Sequence, residues 1–191
     1  MLVWNQNGQG GNSIQGQVFT ATLGTAVAFS AGPAVAYTGL AIANPATAPG
    51  AVAKKLVPLR VNITPTAAVS GTIAWGLLKL TGQGTASNGG MSAFGGAIFT
   101  PGFTGTSTPV AIVGGTFSVV NGTAAGTGSN TLYWQSMLGN VNCGTGAASF
   151  PVDLQGFESV MPGETLAIGC VLAVTAQASI TWAEIPLNSG A

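Results

Sequence analysis

Histidine is absent from this 191-residue chain, and only eight side chains carry a formal charge. They are Lys54, Lys55, Arg60, Lys79, Asp153, Glu158, Glu164 and Glu184. A soluble domain averages about a quarter charged residues; here the share is 4%. Without histidine no Ser-His-Asp or Cys-His constellation can be assembled, and most zinc sites are excluded with them. Two cysteines, Cys143 and Cys170, are too few for a disulfide scaffold. Their small and apolar neighbours suit thiols that behave as small hydrophobes. With no clustered carboxylates either, neither a metal nor a cofactor is expected.

Other absences narrow the setting. Net charge is zero and no basic cluster exceeds the pair Lys54-Lys55. Phosphate neutralisation by Lys and Arg therefore has no footing, and nucleic acid is excluded as a direct partner. No window reaches the 18 or so consecutive apolar residues of a spanning helix. The best run, 166–176, is interrupted by Gly169, Cys170 and Thr175. Residues 1–16 have neither a basic region nor an apolar stretch, so no signal peptide is expected. The irregularly placed aromatics do not make the girdles of a membrane barrel. The expectation is synthesis in a reducing cytoplasm, with no membrane partner.

Gly, Ala, Thr, Ser, Val and Asn make up the bulk of the chain, with 47% hydrophobic residues. A neutral surface with so few charges favours self-association, and a homo-oligomer that buries neutral faces follows. Proline and glycine recur at short intervals, and long 3.6-residue patterns are missing. The segments between are rich in β-branched and aromatic residues. Residues 1–17 read as an extended polar arm anchored by Trp4, and residues 18–191 as one domain.

Strands are expected at 18–23, 27–30, 36–44, 55–64, 72–81, 110–113, 116–120, 131–138, 152–160, 166–174 and 179–184. In 55–64, period two places Val57, Leu59, Val61 and Ile63 on one face. Pro58 lacks an N–H, so that strand should lie at a sheet edge or carry a local break. In 72–81, Ile73, Trp75 and Leu77 fall on one face and Leu78 and Leu80 on the other, which predicts burial from both sides. A turn is expected near 176–178, and the Pro-Gly pair in 161–164 marks another. Residues 82–109 form a Gly/Ser/Thr-rich excursion carrying Phe94, Phe99 and Phe103, too long for a hairpin loop. Its aromatics should dock on the body or on a neighbouring subunit. Strand number and spacing favour an all-β jelly-roll-like antiparallel sandwich.

Little in this inventory can do chemistry. Gly82-Gln83-Gly84 lacks the third glycine and the following helix of a phosphate-binding loop. Glu158 and Glu164 are the nearest thing to a glycosidase carboxylate pair. The plainer reading is that Glu164 caps the Pro-Gly turn while Glu158 and Asp153 sit on a solvated loop. The chain is not read as an enzyme. Lys54 and Lys55 are solvated turn residues or, more sharply, register-fixing contacts to acidic side chains of a neighbouring subunit.

Two segments carry a family resemblance. One is Tyr37-Thr38-Gly39-Leu40-Ala41-Ile42-Ala43-Asn44-Pro45, followed after a turn by Lys54-Lys55-Leu56-Val57-Pro58-Leu59-Arg60-Val61. The other runs from Met161-Pro162-Gly163-Glu164-Thr165-Leu166-Ala167-Ile168 through Ile180-Thr181-Trp182-Ala183-Glu184-Ile185-Pro186-Leu187. The resemblance is to tailed-phage virion proteins, the jelly-roll capsid cement or decoration proteins. It implies a homotrimer on the outer capsid surface, bound to the major capsid protein and bridging capsomers, with no catalytic residues. The alternative is a tail-fibre or receptor-binding head domain that recognises a host surface glycan through the aromatics of 82–109.

Overall fold

Apolar residues at period two, broken by Gly and Pro, give strands and, among the described residues, no helix in the computed structural model of the chain. The structure describes residues 17–33, 36–45, 47, 51–66, 71–80, 98–99, 111–118, 132–143 and 149–187. Among these the strands are β1 (Gln17–Thr22), β2 (Val27–Phe29), β3 (Ala36–Ala43), β4 (Lys54–Pro65), β5 (Thr72–Leu80) and β6 (Ile98–Phe99). They continue with β7 (Ile112–Ser118), β8 (Leu132–Asn142), β9 (Phe150–Asp153), β10 (Thr165–Cys170) and β11 (Val174–Pro186).

Two antiparallel sheets result. The first has the order β6-β1-β11-β4-β9, with β2 also paired to β11; the second has the order β7-β3-β10-β5-β8. Four nested pairs, β1–β11, β3–β10, β4–β9 and β5–β8, describe one long antiparallel ribbon folded into two layers. That wrapping is the jelly roll. Strands β6 and β7 are additions inserted between the two innermost strands of the ribbon. They extend the two sheets at the edge away from β9 and β8.

Several sequence expectations change in register. Strand β4 is an interior strand, so Pro58 is not at an edge. The local break is there instead: Thr181 pairs with Arg60 and Trp182 with Pro58, leaving Leu59 as a bulge. The freed Leu59 carbonyl accepts from Leu154 N–H at 2.8 Å. One extra residue flips the phase. Leu56 therefore shares the core with Val61 and Ile63, while Val57 lies on the opposite face.

The segments 110–113 and 116–120 merge into one strand, β7. Segment 131–138 extends to Asn142 as β8. The expected strand 152–160 stops at Asp153 because Gln155 (φ 51°) and Gly156 (φ 75°) turn the chain. The turn expected near 176–178 lies at 171–173 instead. Ala176 and Ala178 stay in β11 because small buried side chains are needed opposite Pro65 and Ile63. Residues 1–16 of the expected arm, and most of 82–109, lie outside the described residues.

The core fills the space between the sheets. Trp182 stacks on Phe19 at 5.8 Å within the first sheet, and Phe29 meets Trp75 edge-on at 5.3 Å. Phe29 belongs to the first sheet and Trp75 to the second, so this edge-to-face pair links the layers. Such pairs contribute about 0.5–1.5 kcal/mol beyond their buried area. Cys143 and Cys170 are both buried free thiols. Burial pushes Cys170 up to about 12, and the nearby Cys143 adds to that shift.

The middle of the second sheet, strands β3, β10 and β5, is buried on both faces, as the two apolar phases of 72–81 require. Ile73, Trp75 and Leu77 enter the main core, whereas Leu78 and Leu80 join Tyr37, Ala41, Ala167 and Trp134 on the outer face. Tyr37 donates its hydroxyl toward the carbonyls of Leu40 (3.0 Å) and Ile168 (2.6 Å). Burial holds this phenol well above its ordinary pKa.

Candidate functional site: the charged end of the sandwich

In five neighbouring strands the inward apolar series ends on a polar residue at the same end of the sandwich. Leu40 and Ile42 lead to Asn44, Trp75 and Leu77 to Lys79, and Ile180 and Trp182 to Glu184. Leu56 is preceded at the same phase by Lys54, and Leu166 by Glu164. This places four of the eight charges, two of each sign, in one cluster.

Glu184 is its most buried member. Its side chain is wholly inaccessible; Oε2 meets Lys54 Nζ at 3.2 Å and Oε1 accepts from Ala111 N–H at 3.1 Å. A carboxylate taken out of water needs such partners to remain charged. Asn44, also buried, donates from Nδ2 to the carbonyls of Lys54 (2.8 Å) and Val160 (2.9 Å). The main-chain carbonyl of Asn44 accepts from Gly163 N–H at 2.7 Å. Asn44 thus ties β3 to the start of β4 and to the segment before β10.

Glu164 completes the other half. Its Oε2 accepts from Met161 N–H at 2.8 Å and meets Lys79 Nζ at 2.8 Å. Lys79 also donates to the Ser159 carbonyl at 3.2 Å. Pro162 and Gly163 (φ 87°) form a turn closed by Glu164 N–H to the Met161 carbonyl, with positive φ at its third residue as a type II turn requires. Glu164 therefore caps the Pro-Gly turn, as its position suggested. The inserted chain also begins and re-enters here, at Leu80 and at Ala111. The cluster is a clamp, with its oxygens committed to lysines and backbone N–H groups.

The remaining charges lie elsewhere. Arg60 and Asp153 approach at 3.7 Å on the outer face of the first sheet, both exposed. Such pairs contribute little to stability. Lys55 and Glu158, both half-buried, form no ion pair among the described residues.

The sequence-nominated residues separate accordingly. Lys54 and Lys55 are adjacent in sequence but sit on opposite faces of β4, and Lys54 has its partner within its own chain. They open a strand rather than occupy a turn. Phe99 lies in β6 opposite Thr20. Trp4, Phe94 and Phe103 lie outside the described residues. Sequence reasoning passed over Asn44, Lys79 and Glu184, yet each is a polar residue continuing an inward apolar phase. It also passed over Phe157, which is 86% exposed. The only signal there was the Gln155-Gly156 pair in front of it.

Among the described residues no helix is long and apolar enough to cross a membrane, and no three metal-ligating side chains gather. No family model, curated protein or solved structure matches the chain.

Proposed function

We propose that this chain is a structural virion protein, a capsid cement or decoration protein that bridges and stabilises capsomers at the outer surface of a phage head. The observation that carries the reading is where the charge goes. Two of the three ion pairs are spent inside the fold, at the end of the sandwich, where they fix strand register rather than face solvent. What faces outward is largely neutral and includes Val52, Tyr133, Met137, Phe157, Met161, Val171 and Leu172 as exposed large hydrophobic residues. A surface of this kind suits broad contacts with neighbouring protein. The jelly-roll body supports the reading as an analogy of fold, since that architecture recurs in capsid and lectin domains. In this role the protein is a homotrimer and its other partner is the major capsid protein.

The test is rebinding of purified protein to phage heads from which it has been stripped, followed by heating or osmotic shock. Saturable rebinding that raises the rupture temperature supports the reading. A glycan array probed in parallel separates the alternative: specific sugar binding without affinity for heads would replace cement with host-receptor recognition.

A further inference from the structure

We propose that the flank of β4 carrying Lys55, Phe157, Glu158 and Met161 is the contact surface for a second copy of this chain, packed across a rotation axis. This deepens the reading above by naming the surface, and it rests on that reading's claim of self-association.

The surface is built by the short segment between β9 and β10. Leu154 N–H bonds the bulged Leu59 carbonyl, and Phe157 N–H closes a turn onto the Leu154 carbonyl at 3.1 Å. Gln155 and Gly156 both have positive φ, the signature of a type I′ turn. Gln155 is the only non-glycine residue with positive φ among those described. A Cβ at Gly156 would stand 3.3 Å from Val57 Cγ1, so the turn lies directly on the outward face of β4. Val160 then pairs with Leu56 in both directions, at 2.8 and 3.0 Å, which sets Met161 alongside Lys55. The backbone is pinned at both ends, and Phe157 is nonetheless 86% exposed, with Met161 at 39%. An aromatic held out by a strained, hydrogen-bonded turn is pre-organised as an anchor.

Charge identifies the occupant. Three ion pairs take six of the eight charges, leaving one of each sign, Lys55 and Glu158, for which the described residues supply no ion pair. Both lie on this flank, Glu158 next to Phe157 and Lys55 beside Met161. A patch that carries one unsatisfied cation, one unsatisfied anion and an exposed aromatic is complementary to itself. Across a rotation axis Lys55 of one copy meets Glu158 of the next while the Phe157 side chains pack together.

The experiment is light scattering after size exclusion, with sedimentation to obtain dissociation constants. The samples are the wild type, Phe157→Ser, Lys55→Glu, Glu158→Lys and the double charge reversal. None of these positions makes a side-chain bond within the described fold, and thermal melting serves as the folding control. The expected result is dissociation weakened more than about tenfold by Phe157→Ser, in the range of an interface hot spot. Each single charge reversal weakens assembly, and the double reversal restores it. Unchanged assembly in Phe157→Ser and both single reversals overturns this surface while leaving self-association standing. A wild type that stays monomeric at all concentrations overturns both.

Discussion

The outer faces of the two sheets are built from different chemistry. On the first sheet the outward residues of β1, β4 and β11 include Thr20, Thr22, Asn62, Thr64, Gln177, Ser179 and Thr181, and these reach solvent. Thr20 and Thr181 hydroxyls bond each other at 2.9 Å across the strands. On the second sheet the outward residues of β3, β5 and β10 include Tyr37, Ala41, Leu78, Leu80 and Ala167, all fully buried, while the edge strand β8 leaves Tyr133 and Met137 exposed. Every residue of β10 is buried, whereas β11 alternates along most of its length. The middle of the second sheet therefore behaves as an interior layer, and the first sheet as an outer wall. A chain with so few charges lines that wall with hydroxyl and amide groups instead.

The contrast breaks most severely when a charge is placed on each face. Leu78→Asp puts an unpaired carboxylate among Tyr37, Ala167 and Trp134, and the folded, soluble protein should be lost. Gln177→Asp, on the exposed face of β11, should change stability by less than about 0.5 kcal/mol in urea unfolding. Equal effects would mean that the two faces are not different environments.

The charged end, where strands of both sheets terminate, is the next most sensitive point. Lys54→Met removes the ammonium that meets the wholly buried Glu184 carboxylate at 3.2 Å. The expected loss is about 3–5 kcal/mol, the usual cost of breaking a buried pair by removing one partner. Restoration by Lys54→Met combined with Glu184→Met would identify the stranded charge as the cause. Calorimetric melting of the three variants makes the comparison.

Alkali should act on the interior layer. Cys170 keeps its proton in the fold up to about 12, whereas the unfolded chain releases it near the ordinary thiol value of about 8.5. Folding stability is thus intact below that ordinary value and falls as pH rises through about 12. Tyr37, whose pKa is also raised by burial, deepens the loss above about pH 10. Urea midpoints at pH 8, 10 and 11 should decline steadily; a flat profile would contradict burial of these two groups. Smallest of all, Thr181→Ala removes one part-buried hydroxyl pair and should cost no more than about 0.5 kcal/mol, measured the same way.

Much of this contrast was legible in the sequence. The two apolar phases of Ile73–Leu80 announced a strand buried on both sides. The bulge at Leu59 was not legible, because period two has no mark for an added residue; Pro58 hinted at a break without saying where. The turn at 171–173 was hidden by Val171, Leu172 and Ala173, which carry no turn chemistry. That turn is set by long-range pairing, with Val174 already opposite Phe29. The charged end was written in the inward phase of Asn44, Lys79 and Glu184. Recognising it required knowing that all three strands end on the same side.

The account's central claim is that a fold with so little outward charge works by associating with copies of itself. The most direct measurement is the solution mass of the purified wild-type protein by light scattering, over a range of concentrations. The expected result is a stable trimer near three times 18.7 kDa. A well-behaved monomer at every concentration would show that the neutral wall is content with water, and would contradict the claim.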